Sequence, residues 1–143
     1  MNKLQVVYWS GTGNTQMMAE AIGAGIKEAG KEAEVLAVSQ ASVDALKEEQ
    51  VFALGCSSMG VEVLEEWEME PFVTELEKHV SGKTIALFGS YGWGDGEWMR
   101  NWVDRMTEAG ATVLNGEGTI CNETPDESSL AECRALGAKL AAC

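Results

Sequence analysis

Directly behind the apolar run Leu4–Trp9 stand six residues, Ser10-Gly11-Thr12-Gly13-Asn14-Thr15, and directly ahead of them a helical pattern begins. An apolar run that ends in two flexible glycines and becomes a helix is a strand–turn–helix unit. The loop offers three hydroxyls and one carboxamide, with no lysine or arginine. Backbone N–H groups and the positive end of the helix dipole converge on one spot at such a turn, so the loop reads as a phosphate cradle built from neutral donors. Gly11 and Gly13 allow positive φ and close backbone approach. No Gly-Lys-Ser/Thr follows, which excludes a Walker A loop. Gln16 replaces the third glycine of the dinucleotide fingerprint.

The same alternation continues along the chain. Apolar runs predict strands at Leu4–Tyr8, Ala33–Val38, Val51–Cys56 and Lys83–Gly89. A fifth strand is expected in two pieces, Ala111–Leu114 and Gly118–Cys121, broken by Asn115-Gly116-Glu117. Helical spacing predicts helices over Gly13–Ala29, Ser42–Glu49, Met69 or Pro71 to about Val80, Glu97–Ala109, and from near Asp126 onward. Strands joined by helix-length crossovers imply one α/β domain over residues 1–143: a five-stranded parallel sheet with helices on both faces. Ligands in such sheets bind beyond the carboxyl ends of the strands.

Two further loops fall at that end. Ser57-Ser58-Met59-Gly60-Val61-Glu62 follows the third strand and brings serines beside a soft, polarisable methionine. Ser90-Tyr91-Gly92-Trp93-Gly94-Asp95-Gly96 follows the fourth, with a glycine on each side of Trp93. Glycine neighbours suit a ring presented as a stacking plate rather than wedged in a core. Together the loops specify a ligand with a phosphate at one end, held by Gly13–Thr15, Ser57 and Ser90, and a flat ring at the other, flanked by Met59 and Trp93.

Charge and cysteine usage narrow the function classes. With 23 acidic and 10 basic residues the net charge is −13, which disfavours nucleic acid and anionic membranes and favours a basic protein partner. No apolar stretch approaches the roughly 20 residues of a membrane span. The N-terminal apolar run breaks at Ser10 and reads as a core strand rather than a signal peptide, so a cytoplasmic location is expected. Cys56, Cys121, Cys133 and Cys143 form no Cys-x-x-Cys pair and accompany a single histidine, His79, so no zinc or iron–sulfur site is expected. Seven glutamates and no base fall between Glu62 and Glu77, an acidic run expected to dock basic partners.

The stretches Val7-Tyr8-Trp9-Ser10-Gly11-Thr12-Gly13-Asn14-Thr15 and Leu87-Phe88-Gly89-Ser90-Tyr91-Gly92-Trp93-Gly94-Asp95-Gly96 resemble the flavodoxins, small carriers of flavin mononucleotide (FMN), and most of all the short-chain flavodoxins of anaerobes such as clostridia. The resemblance implies the strand order 2-1-3-4-5, with FMN at the switch point. It places Ser10, Thr12, Asn14 and Thr15 in the phosphate loop, with Ser57 and Ser90 in support. Gly11, Gly13, Ser58, Tyr91, Gly92 and Gly94 complete the expected FMN-binding set. Trp93 matches the ring stacked on the solvent side of the isoalloxazine, and Met59 the residue on its inner face. Gly60 matches the carbonyl that flips toward flavin N5–H, and Glu62 the carboxylate that accepts from N3–H. Val61 departs from the acidic residue common there, and its β-branch should resist positive φ.

The implied function is a low-potential one-electron carrier. Its bound FMN would shuttle between semiquinone and hydroquinone as a monomer, serving basic redox proteins such as flavodoxin reductases and ferredoxin-dependent enzymes. A small FMN-dependent quinone or nitro reductase on the same fold is the alternative. A receiver domain lacks its acidic pair here, and a tyrosine phosphatase lacks the arginine six residues after Cys56, where Glu62 stands.

Overall fold

The computed structural model describes residues 3–60 and 62–143. The expectation about φ at Val61 therefore falls outside the described residues. The chain runs β1 (Lys3–Trp9), α1 (Asn14–Glu28), β2 (Glu32–Ala37), α2 (Val43–Lys47), β3 (Val51–Cys56), α3 (Met69–Leu76), β4 (Thr84–Tyr91), α4 (Glu97–Glu108), β5 (Thr112–Val113), β6 (Thr119–Asn122) and α5 (Glu127–Ala141). All strand pairs are parallel, in the order β2-β1-β3-β4-β5, with β6 also paired to β4.

The broken fifth strand is two strands sharing one sheet position. β5 pairs with Thr84 and Ile85 at the start of β4, and β6 pairs with Phe88–Tyr91 at its end. The sheet thus has six strands. This pairing corrects one boundary. Ser90 and Tyr91, expected in a loop, belong to β4, because Cys121 and Asn122 of β6 give them ladder partners.

The pleat divides the core between the two faces. Val7, Phe52, Leu54, Ile85 and Leu87 point to one side, beneath α2, α3 and α4, where Trp98, Trp102 and Met106 meet them. Val6, Ala53, Ala86 and Phe88 point to the other, beneath α1 and α5. Strands covered on both faces must be apolar nearly throughout, as Val51–Cys56 is.

Helices α1 and α5 touch backbone to backbone. A Cβ at Gly25 would land on the Arg134 carbonyl, and one at Gly137 on the Ile22 carbonyl. Gly25→Ala should therefore lower stability by about 2–3 kcal/mol through overpacking, despite alanine's better helix propensity. A chemical denaturation curve checks this, and a midpoint equal to or above wild type would contradict it.

Candidate functional site

β1, β3 and β4 are neighbours in the sheet, so the loops that follow them meet at one end. Backbone bonds lock them together. Ser57 N–H donates to the Trp9 carbonyl at 3.4 Å, and Ser58 N–H to the Ser90 carbonyl at 3.0 Å. Between the loops lies a cleft of about 410 Å³ lined by Gly11, Thr12, Asn14, Ser57, Ser58, Met59, Ser90, Tyr91, Gly92 and Glu123. That volume falls in the range of small-molecule sites.

The first loop is pre-shaped. Gly13 has φ 97° and donates its N–H to Ser10 Oγ at 3.0 Å. Gly11 lies over the Trp9 indole, where an added Cβ would sit 3.1 Å from the ring. Thr15 is fully buried behind the cradle. Its Oγ1 lies 2.8 Å from both Ser57 Oγ and Ser90 Oγ and accepts from Ser90 N–H at 3.2 Å. One hydroxyl on α1 thus meets one serine just past β3 and one at the end of β4.

The N-terminus of α1 differs from those of the other helices. Ser42 takes a first-turn N–H of α2, and Asp126 one of α5. Glu65 Oε1 takes the N–H groups of Glu68 and Met69 at the start of α3. Glu62 Oε1 takes those of Gly96 and Glu97 at the start of α4, at 3.0 and 2.8 Å. At α1 the N–H groups of Asn14, Thr15 and Gln16 meet no acceptor among the described residues, and the first turn carries no acid. Three free donors and an unopposed dipole face the cleft, which is the arrangement that holds a phosphate.

The aromatic end is more open. Met59 is exposed and forms an antiparallel bridge with Val63, with reciprocal 2.9 Å hydrogen bonds. Gly60, at the tip, has φ 54°. Trp93 is 66% exposed and stands outside the cleft lining, as a plate would. Tyr91 leans against Trp98 with ring centroids 5.5 Å apart, and Trp98 Nε1 donates to the Cys56 carbonyl at 3.1 Å. Glu62 is buried behind the aromatic end rather than lining the cleft, with φ 53°. Its carboxylate packs so closely on Gly94 that a Cβ there would collide with it. This side chain joins the Met59 hairpin to the Trp93 loop.

The acidic run is only partly a free surface. Burial pushes the Glu65 carboxyl up, but N–H bonds from Met69, Glu68 and Trp67 outweigh it and hold the group below the ordinary range. The Arg105 guanidinium grips Glu70 at 2.7 Å and Glu77 at 2.7 Å, tying α3 to α4 and lowering the Glu70 carboxyl. Four of the seven glutamates, Glu62, Glu65, Glu70 and Glu77, thus serve the fold. Sequence reasoning missed this because a charge run looks alike whether or not backbone donors or an arginine fold onto it.

Glu123 of the cleft was also missed. The fifth strand was read as ending at Cys121, two residues before it. A larger cleft, about 540 Å³, lies between α4 and the turn before β6. It is less suited to an anion, since Glu62 occupies the start of α4 and Arg100 already pairs with Asp95 at 3.0 Å. Burial raises the Cys56 and Cys133 thiols to about 12, so neither is a nucleophile. His79 is exposed. Among the described residues no cluster of metal-ligating side chains occurs, and no helix is long and apolar enough to cross a membrane.

The flavodoxin family model matches residues 6–137. A flavodoxin of Clostridium beijerinckii is 50% identical over 138 residues, covering 96% of this chain and 99% of its own. One from Megasphaera elsdenii is 47% identical over 135 residues, covering 94% and 95%. The solution structure of two-electron reduced Megasphaera elsdenii flavodoxin superposes with a TM-score of 0.87, at 44% identity and over 98% of this chain and 99% of that one. An archaeal flavodoxin structure reaches the same TM-score at 35% identity, over 99% and 97%. The phosphate-shaped helix terminus, the serine-lined cleft and the exposed tryptophan plate agree with these matches, and the chain belongs to the flavodoxin family of FMN-binding electron carriers.

Proposed function

We propose that the chain binds FMN in the 410 Å³ cleft and passes single electrons at low potential between basic redox proteins, acting as a monomer. The observation that carries this reading is the bare N-terminus of α1, the one α-helix start without a side-chain cap or acid among the described residues. Asn14, Thr15 and Gln16 N–H would hold the phosphate, with hydroxyls from Ser10, Thr12 and Ser57 and the Asn14 carboxamide closing round it. Gly11, Gly13, Gly92 and Gly94 leave room for the approach. Ser58, Ser90 and Tyr91 would line the ribityl side, with Met59 and Trp93 on the two ring faces.

FMN supplies the redox chemistry when bound. The protein would tune it with Gly60, whose carbonyl would be offered to N5–H, and with Glu62, whose Oε1 serves α4 and whose Oε2, in no hydrogen bond among the described residues, would accept from N3–H. A phosphate held without a basic residue, together with nearby carboxylates, makes the site negative. That disfavours adding the second electron and lowers its potential. A reductase would need space over the ring for a second substrate, and a carrier does not.

Reconstitution with FMN and a stepwise dithionite titration test the reading. A yellow protein that passes through a long-wavelength blue species is expected, and a direct two-electron bleach would sink it. Thr12→Ala should weaken FMN binding by about 1–3 kcal/mol, the cost of a hydrogen bond to a charged acceptor. Fluorescence quenching titrations measure this, and unchanged affinity would remove Thr12 from the phosphate shell.

A further inference from the structure

Among the described residues Trp67 is the most exposed large apolar side chain, at 82%. It stands between Glu66 and Glu68, both exposed and in no ion pair among the described residues. The backbone beneath it is nevertheless held. Its N–H donates to Glu65 Oε2 at 2.9 Å, and Glu65 Oε1 takes the next two N–H groups at 2.7 and 2.9 Å. Glu65 N–H in turn meets Cys56 Sγ at 3.5 Å, at the end of β3. Glu68 accepts from the Trp9 indole at 3.2 Å, at the end of β1. The segment is therefore pinned to the ends of two of the three strands whose loops line the cleft. Among the described residues the indole itself makes no hydrogen bond and no ring pair.

We infer that Trp67 is the apolar anchor by which this carrier docks its redox partners. A tryptophan presented on a rigid support loses little conformational freedom when covered, and tryptophan is the residue type most enriched at the energetic centres of interfaces. The occupant is identified by charge: a protein presenting an apolar recess ringed by lysines or arginines beside its electron-transfer edge. A second copy of this chain would bring its own net charge of −13 to the contact and be repelled. The inference rests on the electron-carrier reading and adds the residue that the partner covers.

Cytochrome c is a suitable probe, since its exposed haem edge is apolar and ringed by lysines. One electron would pass from the dithionite-reduced, FMN-loaded protein to the ferric haem, followed by stopped-flow across a series of ionic strengths. For wild type the second-order rate should fall as salt rises. Trp67→Ser should lower it about tenfold at every ionic strength, with the salt slope kept. Glu66→Gln with Glu68→Gln should flatten the slope instead. An unchanged rate in Trp67→Ser alongside a normal slope overturns the anchor and leaves acidic docking standing. No salt slope in wild type overturns the docking reading beneath it. A more than threefold loss of FMN affinity in Trp67→Ser would assign the ring to the cofactor. Sedimentation showing a wild-type dimer that this variant dissolves would assign it to self-association. Either result overturns the proposal.

Discussion

Asn14→Asp is expected to weaken FMN binding by about 100-fold or more while leaving the apoprotein as stable as wild type, or slightly more so. The two effects share one cause. The first turn of α1 has three N–H groups without acceptors and no acid. A carboxylate placed there interacts favourably with the helix dipole, by about 0.3–1 kcal/mol. It also takes the place proposed for the phosphate dianion. Two like charges about 4 Å apart near a protein surface repel by about 4 kcal/mol per charge pair, far more than the capping gain. Thermal melts of the apoprotein and flavin titrations of both proteins measure the opposed signs. A variant that keeps its FMN affinity would show that the phosphate lies elsewhere, whatever happens to the melting temperature.

Glu65→Ala should produce a large loss of stability, about 3–5 kcal/mol, because it strips acceptors from three backbone N–H groups beneath a buried side chain. Glu65→Gln keeps the shape and one acceptor and should lose less, which separates the charge from the packing. The pH dependence has a definite sign. The folded carboxyl is held below its ordinary value, so its stabilisation is fully present above the unfolded pKa, about 4.3, and fades as pH falls through the lower folded value. Wild type should therefore lose its advantage over Glu65→Gln as pH drops below about 4.3. Urea titrations at pH 7 and across the acid range read this out. A constant difference between the two proteins at all pH values would contradict it.

Much of this was legible in the chain because the relevant signals are local. The βα turn announces itself through Ser10–Thr15, since glycines and small donors between an apolar run and a helical period have few other uses. The buried strands read clearly because Val51–Cys56 is apolar at every position that a doubly covered strand must bury. Features decided at long range were harder to see. Ser90 and Tyr91 became strand only because β6 lies beside them, 31 residues away in sequence. Thr15 is expected in the phosphate loop, and the sequence does not show that its hydroxyl lies against Ser57 and Ser90, leaving its N–H toward the cleft. Glu65 reads in sequence as part of an acidic run and Glu62 as a flavin partner, and one oxygen of each also closes a helix start. In each case a polar side chain has several possible partners, and only the folded geometry selects one.

The bare start of α1 also bears on how long the polypeptide survives. If the phosphate completes the uncapped start of α1 as proposed, the ligand becomes part of the folded structure. At a free flavin concentration 100 times the dissociation constant, binding adds about 2.7 kcal/mol, which cuts the unfolded fraction about a hundredfold. Proteolysis assays on apo and loaded protein should therefore show very different half-lives, and equal half-lives would refute the link. In a cell short of flavin, the apoprotein would be the pool removed first, so the amount of carrier would follow the supply of the cofactor that makes it useful.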